Sequence, residues 1–247
     1  MTLTPMRLDL SLCERGLSSS RTEAKELILA AHVSVNGKTV TKPSHDVSDE
    51  DSVSVVGEVR KFVSRGGLKL EGAIEIFGLD VSGAMALDVG ASSGGFTDCL
   101  LRHGAKHVIA VDSGSGQLSE SLRRDKRVTS IENYNARFMN LSDLEYSPNL
   151  AVMDVSFISA TLIIPAVYSV LSDNGEFVLL IKPQFEVGRA GIGKGGIVKD
   201  EALRKKALSD VTEFAERCGF KLIGTARSPI EGGDGNIEYL ARFRKER

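Results

Sequence analysis

From about residue 64 onwards, short apolar runs alternate with longer stretches in which apolar residues recur at helical spacing. The runs that predict strands cover residues 84–89, 107–111, 128–131, 150–154 and 177–181. The stretches that predict helices cover residues 67–77, 95–103, 115–124, 157–171 and 200–217. This alternation is typical of an α/β fold with a mainly parallel sheet and helices on both faces. Two later runs, 221–227 and 237–243, are expected to complete a seven-stranded sheet as a hairpin.

The first sixty residues follow a different pattern, which predicts a small α/β unit. A short stripe of leucines is followed by the capping-box spacing of Ser20 and Glu23, so two consecutive helices are expected. The pair Asn36-Gly37 lies among alternating residues and tolerates the positive φ of a two-residue hairpin turn. A closing strand over 53–56 would complete a three-stranded sheet. We therefore predict a small domain over residues 1–56, a linker over 57–63 and a larger domain over 64–247.

The composition is that of a globular protein. Of the 247 residues, 42% are hydrophobic and 26% are charged, which argues against disorder and against a coiled coil. No apolar run approaches the ~18 residues that a membrane-spanning helix needs, and the first residues lack the apolar core of a signal peptide. Three scattered cysteines are too few for a disulfide framework or a metal cluster, so we expect a cytoplasmic protein without a metal or a membrane partner. Because the net charge is −2, any nucleic acid must be bound through local basic patches.

A glycine loop follows the first strand of the larger domain. Compared with the pattern G-x-G-x-x-G, Gly90 and Gly95 match, but Ser92 replaces the glycine that lets a pyrophosphate approach the backbone. This replacement disfavours a nicotinamide or flavin dinucleotide and favours S-adenosylmethionine, which has no phosphate. Asp112 ends the next strand, near the spacing of ~20 residues expected for a carboxylate that binds ribose hydroxyls. Asn135 is placed to contact an adenine edge, although such a residue more often caps a loop. The cofactor-binding candidates are Gly90, Ser92, Gly94, Gly95, Phe96, Asp112, Asn135 and Asp154.

Two charged residues directly follow predicted buried strands, namely Asp154 and Lys182. A charge after four or five apolar residues must reach solvent at the strand end or be paired. An ordinary salt bridge would explain these two residues alone. Lys69, in the helix that enters the larger domain, and Glu238, on the last predicted strand, extend the set to four and favour a catalytic site.

The first segment resembles the S4 RNA-binding domain. The residues that carry the resemblance are, in order, Arg7-Leu8-Asp9, Gly16-Leu17, Ser20-Arg21, Val33-Ser34-Val35-Asn36-Gly37 and Lys42-Pro43. The resemblance implies a basic face that contacts structured RNA, whereas charge alone would favour a solvated helix face. The RNA-binding candidates are Arg7, Arg21, Lys25, Lys38, Lys42 and Arg65.

The second segment resembles the FtsJ-like ribose 2′-O-methyltransferases, and the whole chain resembles the TlyA family, often labelled hemolysin A. The motifs that carry the resemblance are Ser64-Arg65-Gly66 with Lys69, the loop 90–96, Asp154-Val155-Ser156-Phe157, Lys182-Pro183-Gln184-Phe185-Glu186 and Gly235-Asn236-Ile237-Glu238-Tyr239. The resemblance implies a Rossmann-like methyltransferase domain preceded by an S4 domain, with S-adenosylmethionine as cofactor. It also implies ribosomal RNA or a ribosomal subunit as partner and a cytidine ribose as target. The catalytic tetrad that it implies is Lys69, Asp154, Lys182 and Glu238.

The chemistry expected of this tetrad is proton removal from a ribose hydroxyl. A lysine whose charged form is disfavoured by burial and by a second cation can serve as general base, and Lys182 is the candidate. Lys69 would orient the hydroxyl, and the two carboxylates would fix the two amines. Two alternatives remain: a non-catalytic ribosome-binding factor that keeps a cofactor pocket and, with less support, a membrane-active hemolysin.

Overall fold

The computed structural model of the chain describes residues 5–18, 21–55, 61–232 and 235–246. The chain divides into two compact units, Met1–Val59 and Arg60–Arg247. The linker predicted over 57–63 falls in part on residues outside the described ranges, and so does Ser20 of the predicted capping box. The domain limits drawn from the sequence therefore stay a prediction.

Two helices and two small sheets form the first unit. Their bounds are β1 (Met6–Arg7), α1 (Leu8–Glu14), α2 (Arg21–Leu29), β2 (Val33–Val35), β3 (Lys38–Thr39), β4 (Asp46–Val47) and β5 (Val53–Val55). The three-stranded sheet β3-β2-β5 is confirmed, with Asn36 and Gly37 at φ 52° and 77° in the predicted turn. The antiparallel pair β1–β4 was not predicted, because two residues per strand leave no readable alternation. Leu8, Leu12 and Ile28 are fully buried in the core of this unit.

Seven strands form the sheet of the second unit, as predicted. They are β6 (Met85–Val89), β7 (His107–Val111), β8 (Val128–Ile131), β9 (Leu150–Met153), β10 (Glu176–Ile181), β11 (Phe220–Arg227) and β12 (Tyr239–Lys245). The order across the sheet is β11-β12-β10-β9-β6-β7-β8. Strands β6 to β10 are parallel, β12 is antiparallel to β10, and β11 is antiparallel to β12. The strand order reverses direction beside β6, so a crevice is expected at the carboxyl ends of β6 and β9.

Six helices lie around this sheet in the described ranges. They are α3 (Gly66–Phe77), α4 (Gly95–Arg102), α5 (Glu120–Arg123), α6 (Ile164–Val170), α7 (Pro183–Glu186) and α8 (Glu201–Arg217). None of the helices in the described part of the chain combines the length and the apolar character that a bilayer crossing requires.

Two of the predicted helices are shorter than the sequence pattern indicated. The helix predicted over 115–124 is confined to α5, because Gly116 has a φ of 66° and its N–H donates to the Glu132 carboxylate. The helix predicted over 157–171 begins only with α6, because Phe157 adopts a left-handed φ of 64° and the 3-10 helix Ala160–Leu162, capped by Ser159, follows it. In both stretches, local conformations replace the first helical turns.

The strands alternate their side chains between two cores. In β10, Leu179 and Ile181 lie in one core, while Val178 and Leu180 lie in the other, together with Leu70 of α3. The same alternation, continued by one residue beyond the strand ends, places three charged residues on the α3 side of the sheet. These residues are Asp154, Lys182 and Glu238. The fold thus brings charged side chains from the ends of three different strands to the same edge of the sheet, on its α3 face.

Candidate active site

The loop between β6 and α4 packs directly on the end of β9. Gly90 has a φ of 84°, and a β-carbon built on it would lie 2.5 Å from the main-chain oxygen of Asp154. No side chain fits at this position, and the backbone conformation itself favours glycine. Gly90 therefore allows the glycine loop and the Asp154 segment to meet.

Both carboxylate oxygens of Asp112 are fixed by main-chain N–H groups. Oδ2 accepts a hydrogen bond from Ser92 at 2.8 Å, and Oδ1 accepts one from Gly114 at 2.7 Å. Ser92 adopts a left-handed φ of 47°, and its hydroxyl donates to Gln117 Oε1 at 3.2 Å. Ser92 thus acts within the protein, through its N–H on Asp112. A carboxylate held in this way at the end of the second strand is suited to accept ribose hydroxyls.

A cavity of about 360 Å³ opens at the carboxyl ends of β6, β7 and β9. Its volume lies within the range of about 300–1,000 Å³ that is usual for small-molecule sites. Five of the sequence-predicted cofactor residues line it, namely Gly90, Ser92, Asp112, Asn135 and Asp154. Asn135 also caps the short 3-10 helix Ala136–Phe138, because its Oδ1 accepts the Arg137 N–H at 3.1 Å.

The other three predicted cofactor residues do not line this cavity. A β-carbon on Gly94 would lie 2.2 Å from Leu122, and one on Gly95 would lie 2.3 Å from the Ser64 hydroxyl. Phe96 is buried in the core on the α3 side. In the described structure, these residues serve the packing of α4. Conversely, sequence reasoning did not identify Gln117 and Tyr134 as lining residues, since nothing in their local pattern marks them.

A fully buried carboxyl group, that of Asp88, lies in β6 two residues before Gly90. Its Oδ2 accepts a hydrogen bond from the Thr97 hydroxyl at 2.6 Å, and its Oδ1 has no partner among the described residues. Burial raises the pKa of Asp88 to about 7, and the negative charges of Asp154 and Asp112 add to this effect. Three acidic groups that repel one another favour a cationic ligand in the adjoining cavity.

Two lysine–carboxylate ion pairs lie at the end of the sheet that carries this cavity. Lys69 Nζ donates to Glu238 Oε2 at 2.6 Å, and both residues are buried. Lys182 Nζ lies 2.6 Å from Asp154 Oδ1, in an ion pair without hydrogen-bond alignment, and donates to Ser156 Oγ at 2.7 Å. The structure therefore brings the four residues together as two pairs, each with one amine and one acid.

The register of β10 and β12 explains how Lys182 and Glu238 come to the same place. Ile181 pairs with Tyr239, so the next residue of β10 and the preceding residue of β12 leave the ladder side by side. A residue that sequence reasoning missed, Gln184, donates from Nε2 to Glu238 Oε1 at 3.4 Å. Glu238 is thus held from two sides, by the amine of Lys69 and by this amide.

An exposed aromatic ring marks the mouth of the site. Phe157 follows Asp154 by three residues, is 92% exposed and lines the cavity. Its ring contacts that of Phe185, with 5.2 Å between the two centroids. An aromatic residue that is both solvent-exposed and held in a left-handed conformation is uncommon. The local geometry therefore presents the ring outward beside Lys182.

In the first unit, two of the predicted RNA-binding residues are organised by a buried acid. Asp9 is fully buried, and its carboxylate accepts from Arg7 Nε at 2.9 Å and from Arg21 Nε at 3.0 Å. The Arg7 guanidinium holds the pKa of Asp9 at about 2, against the effect of burial and with further help from Arg21. The remaining predicted cations, Lys25, Lys38, Lys42 and Arg65, are exposed.

Both units match known families. Residues 62–245 match the FtsJ-like methyltransferase family, and residues 6–53 match the S4 domain. The chain is 48% identical over 239 residues to "Hemolysin A" of Brachyspira hyodysenteriae, which covers 96% of this chain and 99% of that protein. It is 43% identical over 241 residues to the 16S/23S rRNA (cytidine-2'-O)-methyltransferase TlyA of Mycobacterium tuberculosis, covering 97% and 90% of the two chains. A solved structure from Streptococcus thermophilus is 45% identical, with a TM-score of 0.79 over 99% of this chain and 90% of that one.

Proposed function

The chain belongs to the FtsJ-like methyltransferase family and carries an S4 domain, and we propose that it methylates the 2′-hydroxyl of a cytidine ribose in ribosomal RNA. The observation that carries this proposal is the gathering of two lysine–carboxylate ion pairs at one end of the sheet, beside a cavity of cofactor size. The cytidine target rests on the relative from Mycobacterium tuberculosis, whose name states that activity.

The cavity fits S-adenosylmethionine as the methyl donor. When bound, this cofactor supplies a methyl group on a sulfonium, so that the leaving group is a neutral thioether. Asp112 would hold its ribose hydroxyls and Asn135 its adenine edge. The carboxyl groups of Asp112 and Asp154, which line the cavity, suit a ligand that carries positive charge.

The raised pKa of Asp88 predicts that the affinity for S-adenosylmethionine increases with pH. A cation in the cavity favours the Asp88 carboxylate, so binding releases a proton wherever the free protein holds one, which is below a pH of about 7. We expect the affinity to rise about threefold to tenfold between pH 6 and pH 8, since one unit of pKa corresponds to a factor of ten. Calorimetric titration at several pH values measures this change. In Asp88→Asn the slope should disappear, and an unchanged slope would assign it to another group.

The same raised pKa has an opposite effect on the unliganded protein. An acid that binds its proton more tightly when folded stabilises the fold fully below its unfolded pKa of about 4. That contribution from Asp88 is lost as the pH rises towards about 7. Bound cofactor would offset the loss, because it favours the charged form.

Lys182 is placed to remove the proton from the attacking hydroxyl. Lys182 Nζ would first release the proton of its ion pair to solvent, and would then accept the hydroxyl proton as the 2′-oxygen takes the methyl group. Asp154 and Ser156 fix that amine, with Nζ at 2.6 Å and 2.7 Å from their oxygens. The ammonium that results stays paired with Asp154, so the proton transfer leaves no uncompensated charge.

The second ion pair is placed to orient the acceptor. Lys69 is an amine donor held rigidly by Glu238, which is itself held by Gln184. A rigid hydrogen-bond donor near the general base would bind the ribose oxygen in one orientation only. Such orientation is a large source of rate enhancement. The exposed ring of Phe157 offers a stacking surface for an unstacked base, as is usual where RNA bases are recognised singly.

The S4 unit is proposed to bind RNA phosphates through Arg7 and Arg21. The Asp9 carboxylate accepts hydrogen bonds along one edge of each guanidinium. Both arginine side chains are about half exposed, at 42% and 50%, so their other N–H groups are directed to solvent. A buried acid that fixes two arginines in this way forms a preorganised fork for a phosphate group.

Removal of the arginine fork should weaken RNA binding and its dependence on salt. In Arg7→Ala and Arg21→Ala, we expect the slope of log affinity against log salt to fall by roughly one unit for each phosphate that the variant no longer binds. Arg15→Ala is the matched control, because Arg15 carries the same charge but donates to the main-chain oxygens of Ser48 and Asp51. Filter binding to ribosomal RNA at several salt concentrations measures the slopes. Equal slopes in all three variants would show that the fork does not contact phosphates.

The proposed function is tested by transfer of labelled methyl groups to ribosomal RNA. Each separated ribosomal subunit and each free ribosomal RNA is incubated with the protein and S-adenosylmethionine, and the modified sugar is mapped. We expect label on the 2′-oxygen of a cytidine. Binding of the cofactor without transfer to any of these RNAs would instead favour a non-catalytic ribosome-binding factor, and release of dye from liposomes would favour a membrane-active protein.

A further inference from the structure

Beyond the ion pairs, the loop of residues 154–160, which follows β9, runs alongside α7 and is joined to it at several points. Near its start, Asp154 and Ser156 contact Lys182, the residue that precedes α7. In its middle, the ring of Phe157 lies against that of Phe185. The two segments that carry the proposed base and its partner are therefore linked to each other, as well as to their own strands.

The far end of the 154–160 loop is held by a carboxylate that the mechanism above does not use. Glu186 Oε2 accepts a hydrogen bond from the Ser159 hydroxyl at 2.6 Å, and its Oε1 accepts the Ala160 N–H at 2.8 Å. Burial raises the pKa of Glu186. A largely desolvated carboxylate with two aligned donors makes strong hydrogen bonds. Glu186 therefore joins the end of α7 to the end of the loop.

The conformation of this loop needs such a restraint. Phe157 has a φ of 64° and a ring that is 92% exposed, so neither its backbone preference nor burial of its side chain holds it in place. A residue kept in a sparsely populated conformation persists only where its surroundings enforce it. Lys182 contacts Ser156, which precedes Phe157 in the chain, and Glu186 contacts Ala160, which follows it. The loop is therefore restrained on both sides of Phe157.

We propose that Glu186 is a positioning residue for methyl transfer. Its carboxylate holds the 154–160 loop so that Phe157 points outward and Asp154 and Ser156 stay on the Lys182 amine. The catalytic consequence rests on the function proposed above, whereas the restraint on the loop does not. The two parts are therefore tested by separate measurements.

Hydrogen exchange tests the restraint without any turnover. In Glu186→Ala, the amides of residues 157–162 should exchange at least about tenfold faster than in the wild type. Glu176→Ala is the matched control, because Glu176 is the first residue of β10, at the end of that strand remote from α7, and accepts from Arg242 and Arg244, each at 2.9 Å. The control should lose thermal stability without faster exchange in residues 157–162. Unchanged exchange in Glu186→Ala would overturn the proposal, whether or not the protein proves to be a methyltransferase.

Steady-state kinetics test the effect on the reaction. With both substrates saturating, we expect kcat of Glu186→Ala to fall by about tenfold to a hundredfold, because small displacements of reacting groups have effects of this size. Glu186→Gln, which keeps one acceptor oxygen, should recover part of the loss. Glu176→Ala should keep kcat within about twofold of the wild type, since Glu176 lies at the opposite end of β10 from Lys182. Equal values of kcat in the two alanine variants would show that Glu186 is merely structural.

A milder variant keeps the test decisive if Glu186→Ala does not fold. Ser159→Ala removes one of the two donors and leaves the Ala160 N–H on the carboxylate. It should show the same pattern as Glu186→Ala, with smaller changes in exchange and in kcat. Wild-type behaviour of both Ser159→Ala and Glu186→Gln, in both measurements, would overturn the proposal. Absence of methyl transfer by the wild type, with faster exchange in the variants, would reject the proposed function and retain the restraint.

Discussion

Replacement of Lys182 by alanine is expected to lower kcat for ribosomal RNA methylation by about a thousandfold, the middle of the range for a lost general base. The affinity for S-adenosylmethionine should stay within about threefold of the wild type, because Lys182 does not line the cavity. The reason for the loss is that a ribose hydroxyl keeps its proton at neutral pH, and Lys182 is the amine that is held on both Asp154 and Ser156. Single-turnover methylation and calorimetric cofactor titration measure the two quantities.

Two further substitutions separate loss of the base from loss of a charge. Lys182→Arg keeps a cation for Asp154, but a guanidinium does not deprotonate in a protein, so it should be as inactive as the alanine variant. Lys206→Ala removes a lysine that makes an ion pair of the same 2.6 Å length with Asp210 on the exposed side of α8. This control should methylate RNA at the wild-type rate. Near-normal turnover of Lys182→Ala, or an active Lys182→Arg, would contradict the assignment of the base.

The positions of Asp154 and Lys182 followed from the sequence because sheet geometry is regular, whereas Lys69 and Glu238 joined the set through the family resemblance. Asp154 and Lys182 each come directly after an apolar run, and parallel strands bring such residues to one edge of the sheet. Glu238 was placed within the last strand, whereas β12 begins one residue later, at Tyr239. The difference does not change its direction, since the alternation of β12 continued by one residue still points Glu238 to the α3 side, where it binds Lys69.

The partners of these residues did not follow from the sequence. Nothing in the pattern shows that Lys69 binds Glu238 while Lys182 binds Asp154, because that choice depends on how α3 packs on the sheet. The conformations of the loops did not follow from the sequence either. Phe157 is the first residue of a stretch with helical spacing, yet it adopts a left-handed φ that does not occur within an α-helix. Periodicity reports which face of an element is buried, and it carries no information on a residue whose conformation is imposed by contacts from another segment.

The glycine loop shows a third kind of limit. Gly90, Gly94 and Gly95 were grouped by one motif, but the structure gives them different neighbours: Asp154, Leu122 and Ser64. A motif records where side chains are not tolerated, and it does not record whether a ligand or the protein itself occupies the space.

Removal of one partner from the buried Lys69–Glu238 pair is expected to destabilise the fold strongly. Lys69→Ala leaves a carboxylate that is 2% exposed with Gln184 as its remaining described hydrogen-bond partner. An uncompensated buried charge costs about 3–5 kcal/mol, and we expect the free energy of unfolding to fall by that amount. Lys206→Ala, which breaks an exposed pair, should change it by less than about 1 kcal/mol. Urea denaturation measures both differences.

A double substitution then separates the stability of the pair from its role in the reaction. In Lys69→Met with Glu238→Gln, no buried charge is left, and the new amide can still accept from Gln184, so stability should return to within about 2 kcal/mol of the wild type. Methyl transfer should not return, because neither methionine nor glutamine supplies the charged donor that we assign to orienting the ribose hydroxyl. We expect kcat to stay at least about a hundredfold below the wild type at a temperature where both proteins are folded. Recovery of turnover together with stability would mean that the pair only holds α3 on the sheet, and the acceptor would then have to be oriented by the Lys182 pair alone.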